Sequence, residues 1–187
     1  MTGSAWGRLW GSTVIARHLW GQRKTAFLPR ERLDRLRDAR IRRIVAYAAR
    51  HVPFYSDWFK TLGADPRDIA GAASLDRLPL IDKDLVRASP ELFLSRHPSA
   101  RGAISFTTSG TTGTPVRIWH DRASVLANIP YGERERQPVN ELCGSFRPKE
   151  IYVGYESSTF KKVIAFYNEC SFLPVRPRRR FVPLLTP

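Results

Sequence analysis

Acidic residues, cysteine and long hydrophobic runs are all scarce in this sequence. Among its 187 residues, 31 are Lys or Arg and only 17 are Asp or Glu, which gives a formal net charge of +14. Nucleic acid, an anionic membrane and a polyanionic substrate must therefore all be considered as partners. The two cysteines, Cys143 and Cys170, are far apart and in no metal-binding spacing. They indicate neither a disulfide framework nor a zinc site, and they favour a reducing, cytoplasmic setting.

The scarcity of apolar runs bears on export and on membrane insertion. Arg8 and Arg17 interrupt the apolar residues near the N-terminus, so the sequence predicts no secretory signal peptide. No uncharged run approaches the roughly 20 residues that span a bilayer. The hydrophobic content of 42% is still that of a folded globular protein with one sizeable core.

Positive charge is concentrated at the two ends of the chain. Residues 1–50 carry 12 basic and 3 acidic groups, residues 151–187 carry 6 and 2, and the middle is close to neutral. The C-terminal excess is an arginine cluster formed by Arg176, Arg178, Arg179 and Arg180. Such a cluster can bind phosphate, coenzyme A or RNA, or it can be a solvated charge run, and both interpretations stay open.

Three helices are predicted in the first 62 residues. Apolar spacing over residues 6–20 predicts a helix with a tryptophan-rich stripe, which Gly7 and Gly11 weaken. That stripe either packs against the rest of a larger protein or lies in a membrane interface through its tryptophans. The strongest helix is predicted from Glu31 to His51 and ends at Pro53, and a short aromatic helix then reaches Gly63.

The remainder of the chain alternates strands and helices, which predicts an α/β fold. Residues 64–100 are predicted to form turns and short helices, and two strands at 103–107 and 116–120 flank a loop of Gly, Ser and Thr. A helix from Arg122, a buried strand at 151–155 and a helix at 159–168 are predicted to follow. We therefore predict a helical section at 1–100, followed by an incomplete mixed sheet at 101–187.

The loop between the two strands carries the most chemical information. It reads Thr107-Thr-Ser-Gly-Thr-Thr-Gly-Thr-Pro115. Glycines at two positions let the backbone turn successive N–H groups inward as an anion-binding nest, and the hydroxyls add further donors. The G-x-x-x-x-G-K-[ST] and G-x-G-x-x-G spacings are absent. An anion-binding loop and a simple hairpin turn rich in Ser and Thr both remain possible interpretations.

At eight consecutive positions this loop resembles the phosphate-binding signature of the adenylate-forming (AMP-binding) enzymes. The upstream stretches Ala46–Tyr55, Leu62-Gly63 and Leu75–Arg87 are similar to the N-terminal region of the phenylacetate–CoA ligase branch, which includes relatives in capsular polysaccharide biosynthesis. The resemblance runs from about residue 30 to about residue 155.

The resemblance implies an ATP-dependent ligase. In that family a small carboxylic acid attacks the α-phosphate of ATP with Mg²⁺ present, pyrophosphate leaves, and the acyl group passes from the adenylate to a thiol such as coenzyme A. The residues implied to hold the phosphates are Thr108, Ser109, Gly110, Thr111, Thr112, Gly113 and Thr114. The implied fold is the first part of the ligase N-terminal domain, residues 101–187, with its phosphate loop at 108–115.

Two departures from the family pattern limit what the resemblance implies. Many members carry a lysine in or just after the loop, whereas Thr114, Val116 and Arg117 stand there in this chain, so cationic help is expected from Arg117 or elsewhere. The later motifs, which supply the magnesium-binding Glu and the catalytic Lys, have no counterpart in these residues. We therefore expect an N-terminal portion that is inactive alone, with the remainder supplied by the same or another chain.

Other candidate residues have structural interpretations. His51 and His120 are possible acids or bases, but without an identified carboxylate partner we interpret them as structural. Lys83 matches a family position and is interpreted as structural or as an ion-pair partner. Tyr155 and Glu156 end a predicted strand, where ligands often bind in α/β sheets. No catalytic residue and no metal ligand is assigned.

Two other classes of function remain as alternatives. One is a basic nucleic-acid-binding module, for which the sequence offers no recognition motif of interleaved aromatic and basic residues. The other is peripheral membrane attachment through Trp6, Trp10 and Trp20.

Overall fold

The computed structural model describes residues 4–108, 114–145, 149–154, 159–173 and 178–183. Its helices are α1 (Ala5–Leu19), α2 (Gln22–Thr25), α3 (Arg30–His51), α4 (Pro53–Leu62), α5 (Lys83–Ala88), α6 (Arg122–Leu142) and α7 (Thr159–Cys170). Its strands are β1 (Ile104–Thr107), β2 (Arg117–His120), β3 (Lys149–Gly154) and β4 (Arg178–Pro183). Short 3₁₀ turns occupy Pro66–Asp68, Ala72–Arg77, Pro90–Phe93 and Pro98–Ala100.

The chain divides into two compact units. One is continuous in sequence, Phe27–Arg122, and is called the continuous unit below. The other combines Met1–Ala26 with Ala123–Pro187 and is called the split unit. The predicted boundary at residue 100 remains a prediction. The α/β class is confirmed, because helices occupy most of the N-terminal part and the described strands form two small sheets.

The core of the continuous unit is built from neighbours in sequence. Three residues are buried together: Val45 of α3, Phe59 of α4, and Ile69, which follows the 3₁₀ turn Pro66–Asp68. Partly buried hydrophobic residues pack around them, namely Ile41, Ala49, Trp58, Ala64 and Leu78. Pro53 starts α4 at a position where the missing N–H costs no helical hydrogen bond. The turn between the two helices is therefore set by local sequence.

The polar side of α3 holds the turn that follows α4. The Asp38 carboxylate accepts a hydrogen bond from the Ala72 backbone N–H at 3.1 Å, and the Arg42 guanidinium donates to the Ala70 carbonyl at 2.7 Å. Hydrogen bonds from Arg37 and then from Ala72 lower the pKa of Asp38 below its usual value. Part of the arginine excess on α3 therefore serves the fold.

In the split unit, α1 and α7 make a close backbone contact. Ile15, Leu126, Tyr167 and Cys170 form its buried core. A Cβ atom placed on Gly11 would lie 1.9 Å from the Cys170 carbonyl oxygen, so only glycine permits this approach. Gly11, expected from sequence to weaken α1, is the residue that lets α1 pack.

The packing face of α1 is opposite to the tryptophan stripe predicted from sequence. Gly11 and Ile15 are buried, whereas Trp6, Leu9 and Trp10 are exposed. The apolar pattern does not show the buried side, because a glycine contributes no apolar side chain to the count and yet lies at the centre of the contact. Among the residues that the structure describes, no helix combines the length and apolarity needed to cross a membrane.

Strands β3 and β4 pair in parallel, and α7 lies between them in sequence. Lys149 pairs with Arg178 and Gly154 with Pro183 at the two ends of the register. Strand β4 was not predicted, since its arginine run lacks a strand pattern. Strand β3 is not buried on both sides as predicted, because Ile151 is 71% exposed.

Candidate functional site

A β-hairpin in the continuous unit presents the predicted phosphate loop. Strands β1 and β2 pair antiparallel, with Ile104 opposite His120 and Thr107 opposite Arg117. Both strands are only four residues long, so the pairing places the two ends of the loop side by side. The strand limits predicted from sequence differ from the observed ones by one residue at the start of each strand.

Thr108 closes the loop at its base with two hydrogen bonds. Its backbone N–H donates to the Val116 carbonyl at 3.0 Å, and its Oγ1 accepts from the Val116 N–H at 3.0 Å. Val116 itself is buried, which anchors the exit of the loop. A threonine hydroxyl that accepts one hydrogen bond keeps its own O–H to donate, so Thr108 can brace the loop and also bind an anion.

Five of the predicted phosphate ligands, Ser109, Gly110, Thr111, Thr112 and Gly113, lie outside the described residues. Thr114 is described and exposed at the exit of the loop. Its carbonyl oxygen accepts a hydrogen bond from Nη1 of Arg87 at 3.3 Å. The described ends of the loop are therefore held by one threonine and one arginine.

Arg87 is a cation that sequence reasoning did not assign to the site. It lies on α5, whose N-terminus is capped by Asp82 through a 2.7 Å hydrogen bond from the Leu85 N–H. Its Nε donates to the Lys83 carbonyl at 3.3 Å, and its Nη2 forms an ion pair with Asp84. These contacts fix the guanidinium on the helix while Nη1 reaches the loop. The sequence signal that could have identified Arg87 is its position three residues after Asp84 on a short helix capped by Asp82.

Arg117 and Lys83 occupy different places around the loop. Arg117 is the first residue of β2, is exposed and lies at the rim of the neighbouring cavity. Lys83 is the first residue of α5, and its backbone carbonyl accepts from Arg87. Two arginines therefore lie near the exit of the loop, Arg87 through its contact with Thr114 and Arg117 at the start of β2.

Each of the two candidate histidines contacts neighbouring rings. His51 packs against His97 at 4.7 Å and against Tyr47 at 4.9 Å between ring centroids. Burial, and then the charges of His97 and Arg50, lower the pKa of His51 below its usual value. His120 contacts the Phe106 ring at 5.5 Å. The interpretation of both residues as structural remains a prediction.

An apolar cavity of about 790 Å³ lies beside the hairpin in the continuous unit. Helices α3 and α4 form much of its wall, and β2 contributes Arg117, Ile118 and Trp119. Polar groups on its lining include Ser95 and Asp121. Its volume is that of pockets which hold small organic molecules.

The other candidates lie away from this hairpin in the sequence. Tyr155, Glu156 and Arg176 are outside the described residues, and Arg180 lies exposed in β4. Within the described ranges, no group of three or more His, Cys, Asp or Glu side chains lies together. The functional groups described at the ends of the loop are the hydroxyl of Thr108 and the guanidinium of Arg87.

Comparison with known proteins supports a ligase-like sequence over part of the chain. A stretch of 95 residues is 35% identical to phenylacetate-coenzyme A ligase from Thermus thermophilus. The match covers 51% of this chain but 21% of that protein. No protein-family model matches the chain. The similarity supports the adenylate-forming ligases at the level of the family, in keeping with the phosphate-loop signature.

Proposed function

We propose that the continuous unit holds the triphosphate of ATP in an adenylate-forming, CoA-ligase-like enzyme. The observation that carries the proposal is the signature loop of residues 108–115 at the end of the hairpin. Thr108 joins its two ends, and Arg87 reaches its exit from α5. A loop rich in glycine and hydroxyl groups, with its two ends held together and a cation at its exit, suits a polyanion.

The proposed reaction is activation of a carboxylic acid. A carboxylate oxygen forms a bond to the α-phosphorus of ATP while the bond from that phosphorus to the bridging oxygen of the β-phosphate breaks, and pyrophosphate leaves. A thiol such as coenzyme A then attacks the acyl carbon, and AMP leaves. In this scheme the loop and Arg87 hold the β- and γ-phosphates and stabilise the negative charge that develops on pyrophosphate.

The described residues offer groups that bind the phosphates of a nucleotide, and the metal is a separate question. Thr108 offers a hydroxyl and Arg87 a guanidinium, which are groups that bind phosphate oxygens. Mg²⁺ at nucleotide sites takes one or two protein carboxylates together with phosphate oxygens, and the described residues contain no group of three or more His, Cys, Asp or Glu side chains. In the proposal, Mg²⁺ would be held mainly by the phosphates themselves.

The proposal extends to the place of this chain in the enzyme. We propose that residues 1–187 correspond to an N-terminal portion of the phenylacetate–CoA ligase branch, with relatives in capsular polysaccharide biosynthesis, acting in the cytoplasm. Further groups, on the same or another chain, would complete the catalytic site. Residues 1–187 alone would then bind ATP and release no pyrophosphate.

The test measures binding of ATP and of inorganic tripolyphosphate to the 187-residue chain by titration calorimetry. Thr108→Val removes the hydroxyl and Arg87→Gln removes the cation, and each is expected to weaken binding at least about tenfold, because hydrogen bonds to charged groups are strong. Thr108→Ser keeps the hydroxyl and should stay within about threefold of the parent chain.

Arg77→Gln is the matched charge control, because Arg77 is exposed on a 3₁₀ turn of the same unit. It should leave ATP affinity within about twofold, since an exposed surface charge is screened by salt. Equal affinity of the parent chain, Thr108→Val and Arg87→Gln would overturn the proposal, as would failure of the parent chain to bind either compound. Acid-dependent pyrophosphate release by the 187-residue chain would refute its inactivity.

A further inference from the structure

Helix α1 is apolar on two opposite sides, and the fold covers one of them. Gly11 and Ile15 on the first side are buried against the core of the split unit. On the second side Trp6, Leu9 and Trp10 are 78%, 51% and 43% exposed. A helix that is apolar all round is normally covered all round, so the exposed second side is open to a partner.

This second side is a continuous stripe, which we call the tryptophan face. At 100° per residue, its members fall within an arc of about 100° that runs the length of α1. They are Trp6, Leu9, Trp10, Thr13, Arg17 and Trp20. Trp20 follows the last residue of the helix and is 90% exposed. Three of the five tryptophans of the chain therefore lie on one exposed surface.

The charge around the tryptophan face identifies its partner. Residues 1–30 contain four arginines and one lysine and no Asp or Glu. Arg8 serves the fold, since it donates to the Ser171 carbonyl and lies over the Phe172 ring. Arg17 is exposed on the face itself. A surface of this kind is complementary to a negatively charged one and would repel a second copy of the same basic segment.

Tryptophan distinguishes a lipid surface from other anionic partners. Its ring is apolar and carries one N–H donor, so it favours the boundary between acyl chains and headgroups. A basic helix with an aromatic face lies in the plane of that boundary. Helix α1 has 15 residues, fewer than the roughly 20 that cross a bilayer, so an in-plane position is the one that its length permits.

We infer that the tryptophan face of α1 binds the surface of an anionic lipid bilayer, with Trp6, Leu9, Trp10 and Trp20 at the headgroup boundary and Arg17 among the lipid phosphates. Different residues serve this attachment and the proposed nucleotide site, because α1 belongs to the split unit and the phosphate loop to the continuous unit.

Vesicle flotation of the full 187-residue chain tests the inference. Vesicles of phosphatidylcholine alone are compared with vesicles that also contain phosphatidylglycerol, and the chain is expected to float with the second kind. The triple variant Trp6→Gln, Leu9→Gln, Trp10→Gln keeps every charge, and we expect its partition coefficient to fall at least about tenfold. Arg17→Gln should reduce partitioning about fivefold, and only for the anionic vesicles.

A double variant of exposed leucines elsewhere, Leu80→Gln with Leu142→Gln, is the matched control. Both side chains are exposed and neither lies on α1, so partitioning should stay within about twofold. Circular dichroism checks that each variant keeps its helix content, which is expected because the altered side chains are exposed.

Three results would overturn the inference. Equal flotation of the triple variant and the parent chain would assign vesicle binding to the general positive charge. Failure of the parent chain to float with anionic vesicles would leave the face to another occupant. Dimerisation that the triple variant abolishes, without vesicle binding, would assign the face to a second copy of the chain.

Discussion

The continuous unit and the split unit differ in how far apart in sequence their contacting residues lie. In the continuous unit, a long-range side-chain contact such as Tyr47 with Ser95 joins residues 48 positions apart. In the split unit, Arg8 donates to the Ser171 carbonyl across 163 positions. The first unit is assembled from consecutive elements, whereas the second requires both ends of the chain.

This difference has consequences for stability and for folding. Closing a longer loop costs more chain entropy, and contacts between distant residues form more slowly. We therefore expect the continuous unit to form first and to survive changes that disrupt the split unit. The proposed nucleotide loop would then depend on local contacts, and the tryptophan face on distant ones.

Removing the central aromatic of the continuous unit should have the largest effect. Phe59 is buried with Val45 and Ile69, and we expect Phe59→Ala to lower the free energy of unfolding of this unit by about 3–5 kcal/mol. Hydrogen exchange should show loss of protection in α3 and α4, with α7 still protected. The exposed Phe27 is the control, and Phe27→Ala should change stability by no more than about 0.5 kcal/mol.

Gly11→Ala should break the split unit alone. The new Cβ would meet the Cys170 carbonyl oxygen, which is backbone and cannot turn aside, and we expect a loss of about 1–3 kcal/mol. At Gly132 on α6, a Cβ would meet no atom within 4 Å, so Gly132→Ala should be neutral or stabilising by up to about 1 kcal/mol. Equal effects of the two changes in thermal unfolding would contradict the close contact.

A smaller effect is expected at the cap of α5. Asp82→Ala removes the acceptor of the Leu85 N–H and should cost about 1 kcal/mol, confined to this short helix. Amides from Leu85 to Arg87 should exchange faster while α3 is unchanged. Because Arg87 reaches the loop from α5, ATP affinity should fall as well. Asp82→Asn keeps a capping oxygen and should restore both properties.

The smallest effect is a pH dependence at His51. Burial and nearby positive charge lower its pKa in the folded chain below the ordinary value of 6.5, so the neutral form is favoured on folding. Stability should therefore be level above about pH 6.5 and fall as the pH drops from there through the lowered folded pKa. Thermal unfolding between about pH 5 and 7.5 measures this window.

His51→Gln should flatten that dependence. The carboxylates of Asp38 and Asp65 also have lowered pKa values. Their contributions are lost only as the pH falls below about 3.8, so they do not overlap the histidine window. An unchanged pH profile in His51→Gln would show that His51 is not its source.

Local signals in the sequence predicted most of the continuous unit. Pro53, Gly63 and Asp82 act through their own backbone geometry or through residues within three positions, so their effects can be predicted without the fold. Gly63, for example, ends α4 with a φ of +59°. The strands flanking the loop are likewise short alternating runs that the pattern identifies.

The features that were not predicted depend on distant partners. Strand β4 exists because its backbone pairs with β3, although arginines dominate its start. The buried side of α1 is set by the Cys170 carbonyl, which no pattern within residues 5–19 encodes. Arg87 joins the candidate site only because α5 lies against the exit of the loop. The phosphate role of residues 108–114 remains a prediction.

The placement of the tryptophans also allows intrinsic fluorescence to report on each unit separately. Trp58 and Trp119 are partly buried in the continuous unit, whereas the tryptophans of α1 are exposed in the split unit. Unfolding of the continuous unit should therefore shift the emission of the first pair to longer wavelength and change the second group little. Entry of α1 into a lipid surface should shift emission the opposite way, so one fluorescence spectrum distinguishes loss of structure from membrane binding.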